Sequence, residues 1–197
     1  KFPRLVNREH LNAARESALR SCVLLKNDNN ALPLSRETLR SLAVIGPLAD
    51  DGYEQLGTWV FDGESRHSQT CLQAIYAMAG SEIEVHWAAG VETARCRKED
   101  GYEEAIRIAA ESDVVLMFLG EESILSGEAH CRAEINLPGN QEQLIEAVAA
   151  TGKPIVLVVM AGRPLTLHKV IDKVDAILYA WHPGSMGGPA IADLLFG

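Results

Sequence analysis

Three short runs that are apolar at every position constrain this chain most: Leu42 to Ile45, Val114 to Leu119 and Ile155 to Met160. A strand with one face in water alternates apolar and polar residues, whereas a strand covered on both faces has no polar side. The longest apolar run, Ile155 to Ala161, is strand-sized and falls far short of the eighteen or more residues a membrane-spanning helix needs. Amphipathic helical patterns separate the runs. Glu9 to Leu25 sets Leu11, Ala14, Ala18, Cys22 and Leu25 on one face, and the turn cluster Asn27 to Asn30 stops it. Thr70 to Met78, Glu103 to Glu111, Gln141 to Ala150 and Pro189 to Leu195 supply four more helices, while Ile83 to Trp87 and Ala176 to Ala180 add strands. The alternation predicts an α/β fold with a mostly parallel sheet of about five to six strands sandwiched between helices. With 197 residues, no internal repeat and no low-complexity linker, residues 1–197 read as one domain.

The charge balance narrows the partners. With 27 acidic residues against 18 Lys and Arg, neither nucleic acid nor an anionic membrane is expected. A neutral substrate such as a sugar is compatible with it. The four cysteines (Cys22, Cys71, Cys96, Cys131) have no CxxC spacing and read as buried or incidental thiols. The opening Lys1-Phe2-Pro3-Arg4 carries no signal-peptide pattern.

Ligand sites in open α/β sheets lie beyond the carboxyl ends of the strands. Here those ends run into a glycine-rich loop from Leu48 to about Arg66, the loop from Gly120, Ala161-Gly162-Arg163-Pro164, and Trp181-His182-Pro183-Gly184. The loop from Gly120 to Arg132 holds Glu121, Glu122, Glu128, His130 and Arg132. A polar loop at this edge can simply be solvated. Alternatively, one carboxyl exchanges protons with a substrate, a task suited to a glutamate in a partly dry site. Gly127 would let the backbone turn and present Glu128 outward, and Arg132 would hold the loop or orient a substrate hydroxyl.

Ser126-Gly127-Glu128-x-x-x-Arg132 followed by Leu137-Pro138-Gly139-x-Gln141 resembles the SGEGxDR…LPGxQ stretch of family 3 glycoside hydrolases of the β-glucosidase kind. Val23-Leu24-Leu25-Lys26-Asn27, Ala31-Leu32-Pro33-Leu34, Val44-Ile45-Gly46-Pro47, Gly152-Lys153-Pro154, Gly162-Arg163-Pro164-Leu165 and Gly187-Gly188-x-Ala190 to Gly197 follow the same family in order. The bacterial periplasmic β-glucosidases are the nearest in pattern. The resemblance implies the C-terminal α/β sandwich of a retaining enzyme acting on a β-glucoside or short oligosaccharide, without cofactor or metal. A periplasmic or extracellular location goes with it. It also implies an N-terminal barrel that carries the aspartate nucleophile, and these 197 residues hold no segment resembling a barrel. The chain alone is therefore expected to be inactive. Glu128 matches the general acid/base, with Glu121 and Glu122 as alternatives. A β-xylosidase or exo-glucanase of the same family, or a non-catalytic carbohydrate-binding module, are the alternative functions. Two positions depart from the family pattern: Ala129 stands for its Gly and Cys131 for its Asp.

Other residues invite roles. Trp59, in Gly57-Thr58-Trp59, either stacks on a sugar ring or packs beneath its own loop. Trp181, also at a strand end, is expected to line the barrel interface rather than to contact a sugar. Gly184 to Pro189 resembles a phosphate nest but lacks the Gly-Lys-Ser/Thr of a P-loop, and a tight turn into the last helix explains it better. His130 beside Cys131 has no second pair spaced to complete a metal site.

Overall fold

The computed structural model describes residues 6–197, so the reading of residues 1–4 lies outside the described residues. A six-stranded sheet runs in the order β1-β6-β5-β4-β2-β3. Its strands are β1 (Val23–Asn27), β2 (Ser41–Ile45), β3 (Glu84–Ala88), β4 (Val114–Gly120), β5 (Ile155–Met160) and β6 (Ala176–Tyr179). All neighbouring pairs are parallel except β1 with β6. The helices are α1 (Arg8–Ser21), α2 (Cys71–Ala79), α3 (Tyr102–Glu111), α4 (Gln141–Ala149) and α5 (Gly187–Phe196).

The apolar runs do what their pattern requires. Along β4, Val115, Met117 and Leu119 enter one core with α3 and α4, while Leu116 and Phe118 enter the opposite core with α2 and α5. Every residue of β5 is buried. At about 25 cal/mol per Å² of apolar surface, each fully buried Leu, Ile or Phe contributes roughly 1.5–3 kcal/mol, which makes these central strands the stability of the domain. Local signals agree at α2, where Thr70 and Gln73 form a reciprocal capping box.

One expected element is different. The helix read over Glu9 to Leu25 ends at Ser21, and Val23–Asn27 is an edge strand antiparallel to β6. Leu25 therefore leaves the helical face, and it is exposed together with Val23 and Leu24. The apolar period of α1 continues without a break through this segment. What ends the helix is pairing with β6, which supplies ladder hydrogen bonds from residues about 150 positions away, such as Val23 against Tyr179.

Candidate active site

The Gly120 to Arg132 loop leaves the carboxyl end of β4, at the middle of the sheet, where three neighbouring segments meet it. Its base is buried and fully engaged. The Glu121 side chain has no solvent exposure and accepts from Arg132 Nη1 at 2.5 Å and Arg163 Nε at 3.2 Å. Glu122 is grasped by Arg95 through Nε (2.9 Å), Nη2 (3.0 Å) and the backbone N–H (3.1 Å). The Ser123 N–H donates to the Glu54 carboxylate, and Thr58 Oγ1 meets the Ser123 carbonyl and Ser126 Oγ. Burying two carboxylates costs several kcal/mol each unless their charge is matched, so the arginines are a requirement of the loop's position.

The tip is different. Glu128 is exposed and forms no ion pair or hydrogen bond with the described residues. Gly127 lies at φ +101°, a backbone conformation open to glycine, and a Cβ there would come within 2.5 Å of the Thr58 methyl. Ala129 takes the left-handed conformation at φ 63°. The two reversals in three residues turn the chain so that Glu128 stands at its outer end.

Trp59 reaches this tip, its Cζ2 lying 3.8 Å from the position a Gly127 Cβ would take. It is 62 % exposed, which excludes packing beneath its own loop, and it meets Phe61 edge-to-face at 6.4 Å. Phe61, 87 % exposed, was not distinguished in the sequence, where only its place in a loop of small and polar residues sets it apart. Arg132 turns inward, with Nη1 on Glu121 and Nη2 on the Asn136 carbonyl at 3.0 Å, the loop-holding option of its two. Trp181 also faces inward: its indole N–H donates to the Ser21 carbonyl, and its ring tilts on Tyr179 at 4.7 Å. It anchors the end of α1. His130 Nδ1 lies 3.0 Å from the Ser126 carbonyl oxygen.

His182 sits under the loop, its Nε2 3.5 Å from Ser126 Oγ and its Nδ1 without a hydrogen-bond partner among the described residues. Burial pushes its pKa down, opposed by the nearby negative charge of Glu121 and by the Glu54 backbone. Before α5, Gly184 makes the turn at φ 75°, and within the first turn of the helix Gly188 serves packing, since a Cβ there would fall 2.2 Å from the Thr70 carbonyl oxygen.

A family model described as the glycosyl hydrolase family 3 C-terminal domain matches residues 22–197. The chain belongs to glycosyl hydrolase family 3. Similar curated proteins include a periplasmic β-glucosidase of Salmonella typhimurium, 39 % identical over 97 % of this chain and 27 % of that protein. A β-xylosidase of Formosa agariphila is 36 % identical over 96 % of this chain and 27 % of its own length. Among solved structures, the β-glucosidase of Listeria innocua in complex with isofagomine superposes with a TM-score of 0.88 at 31 % identity, covering all of this chain and 26 % of that one. The chain thus spans about a quarter of the length of these relatives.

Within this family 3 domain, the sequence motifs acquire physical reasons. Gln141, which ends Leu137-Pro138-Gly139-x-Gln141, is fully buried and donates through Nε2 to the carbonyls of Ala94, Gly120 and Pro138. Its Oε1 accepts the Gly120 N–H at 2.8 Å. It ties the start of the Glu128 loop to two neighbouring segments. Glu54, Thr58, Arg95 and Arg163 were not assigned site roles from the sequence, because each reaches the loop across a long stretch of chain.

Proposed function

We propose that this domain supplies the general acid/base, Glu128, to a retaining β-glycosidase whose nucleophile comes from an N-terminal barrel of the same protein. The observation that carries the reading is the contrast among three glutamates: Glu121 and Glu122 are consumed by arginines, and Glu128, exposed at a strand-end tip beside Trp59, has no partner among the described residues. In the first step, Glu128 gives its proton to the departing glycosidic oxygen while the nucleophile bonds to the anomeric carbon. In the second, the Glu128 carboxylate takes a proton from the water that releases the sugar. Retention requires the two carboxyls about 5–5.5 Å apart, so the barrel must approach this tip. Trp59 offers its face to a sugar ring, and Arg132 acts by holding the loop.

The substrate class we infer is a terminal β-D-glucoside, with β-xyloside the second reading, since relatives of both names match over nearly the whole chain. The periplasmic relative supports a periplasmic or secreted location. No helix among the described residues is long and apolar enough to cross a membrane. In the full-length protein, Glu128→Gln is expected to lower kcat/KM about 10²–10⁴-fold for alkyl glycosides, whose leaving groups need a proton. Dinitrophenyl glycosides, which need none, keep theirs. Equal turnover of both kinds by variant and parent removes Glu128 from catalysis and leaves a carbohydrate-binding module as the better reading. Running the series on β-glucosides and β-xylosides assigns the sugar.

A further inference from the structure

We propose that Arg163 is a positioning residue for the acid/base, a strap that closes the Glu128 loop from beneath and fixes where its carboxyl stands. The inference rests on the role proposed for Glu128.

Arg163 Nη2 donates to the carbonyl of Leu125 and, at 2.8 Å, to that of His130. Those two carbonyls bracket the tip, so one guanidinium joins the residues on either side of Ser126 to Ala129. The same guanidinium sends Nε to Glu121, whose carboxylate lies wholly out of solvent and also binds Arg132. The cation is therefore neutralised from below while its upper edge holds backbone. The Arg163 carbonyl accepts from the Tyr179 hydroxyl, which in turn accepts the Leu165 N–H at 2.9 Å, so the base of the strap is fixed to β6. Gly162 completes the fit. A Cβ there would fall 2.2 Å from Ser126 Oγ and 3.0 Å from His182 Nε2, so the strap approaches the loop closely only because residue 162 has no side chain.

The tip's own ties are few, the His130 N–H to the Gly127 carbonyl at 3.3 Å and His130 Nδ1 beside the Ser126 carbonyl at 3.0 Å, and both close the turn without reaching the Glu128 side chain. Glu128 has no hydrogen bond or ion pair among the described residues, and residues 127 and 129 lie in the left-handed region. A general acid must meet the leaving oxygen within hydrogen-bond reach, and a displacement of about 1 Å costs on the order of 10²-fold in rate. A planar fork can hold two carbonyls and a carboxylate at once, whereas a lysine ammonium is a single point of charge.

The test compares Arg163→Gln, Arg163→Lys and Glu128→Gln in the full-length protein, with kcat/KM measured on an alkyl and a dinitrophenyl glycoside of the same sugar. Arg163→Gln is expected to lose about 10²-fold on the alkyl glycoside and far less on the dinitrophenyl one. Arg163→Lys, which keeps a cation beside Glu121 without the two-carbonyl fork, is expected to show the same selective loss, and it carries the test if the glutamine variant does not fold. Equal losses on both substrates, or no loss, in a folded variant overturn the strap while Glu128→Gln still shows its leaving-group signature. If Glu128→Gln itself lacks that signature, the acid/base assignment fails and the strap falls with it.

Discussion

The base and the tip of one loop treat the same side chain in opposite ways. Glu121 sits at the base with no exposure, held by two arginines, while seven residues later Glu128 stands exposed without a partner among the described residues. The base is expensive to build, since its buried charges must be matched by Arg95, Arg132 and Arg163 drawn from three segments. The tip is cheap, holding only a glycine, an alanine in a left-handed conformation and the open carboxyl. The difference is what supports the proposal that Glu128 is the reagent and Glu121 the scaffold. A carboxyl whose two oxygens are both occupied by guanidiniums has none left to offer a substrate, whereas an exposed one does.

The strongest way to break this comparison is to neutralise each carboxyl in turn. Glu121→Gln leaves two arginines facing one neutral amide in a dry site, and removing one partner of a buried ion pair typically costs about 3–5 kcal/mol. Glu128→Gln changes an exposed, unpaired group and is expected to stay within about 0.5 kcal/mol. Denaturant unfolding of both variants in the full-length protein measures the gap. A stable Glu121→Gln protein, or a destabilised Glu128→Gln one, inverts the assignment of scaffold and reagent.

A second test uses protons at the base. His182 lies beneath Ser126 with its pKa lowered by burial. The unfolded chain therefore takes up a proton near pH 6.5 that the folded chain refuses until a lower pH. The stability tied to the neutral ring is complete above about pH 6.5 and declines as the pH falls toward the folded value, at no more than about 1.4 kcal/mol per pH unit for one proton. Thermal melts between neutral and mildly acidic pH are expected to show this decline in the parent and a flatter profile in His182→Gln. Superimposable profiles would mean that the ring is not held neutral under the loop.

These contrasts also mark what the sequence could convey. The strands β2, β4 and β5 were legible because two-sided burial removes every polar residue from a run, and that is a local property of the chain. The β1 strand was not, since Val23-Leu24-Leu25 continues the period of α1 and only β6, far along the sequence, makes it a strand. The Glu128 loop was legible as a place by the strand-end rule, and its glutamates were legible as candidates. Their ranking came from the family resemblance alone, because the partners that engage Glu121 and Glu122, Arg163 and Arg95, approach from other strand-end loops. Phe61 and Gln141 were hidden for the same reason: one is defined by what leaves it exposed, the other by three carbonyls gathered around it.

The smallest expected effect concerns the tip itself. Ala129 occupies a left-handed position, φ 63°, where the family pattern has glycine. An L-residue with a Cβ pays roughly 1–2 kcal/mol for that conformation. Ala129→Gly removes this strain, but the more flexible residue costs about 0.5–1 kcal/mol through the unfolded chain. The net expectation is a gain below about 1 kcal/mol, read as a small rise in the unfolding midpoint. Activity answers a separate question. If the Arg163 strap fixes the tip, the added backbone freedom at residue 129 is confined between the clamped carbonyls, and kcat/KM on an alkyl glycoside stays close to that of the parent. A selective fall on that substrate, with the dinitrophenyl glycoside unaffected, would show that the alanine Cβ itself steadies Glu128 and that the tip carries part of its own scaffold.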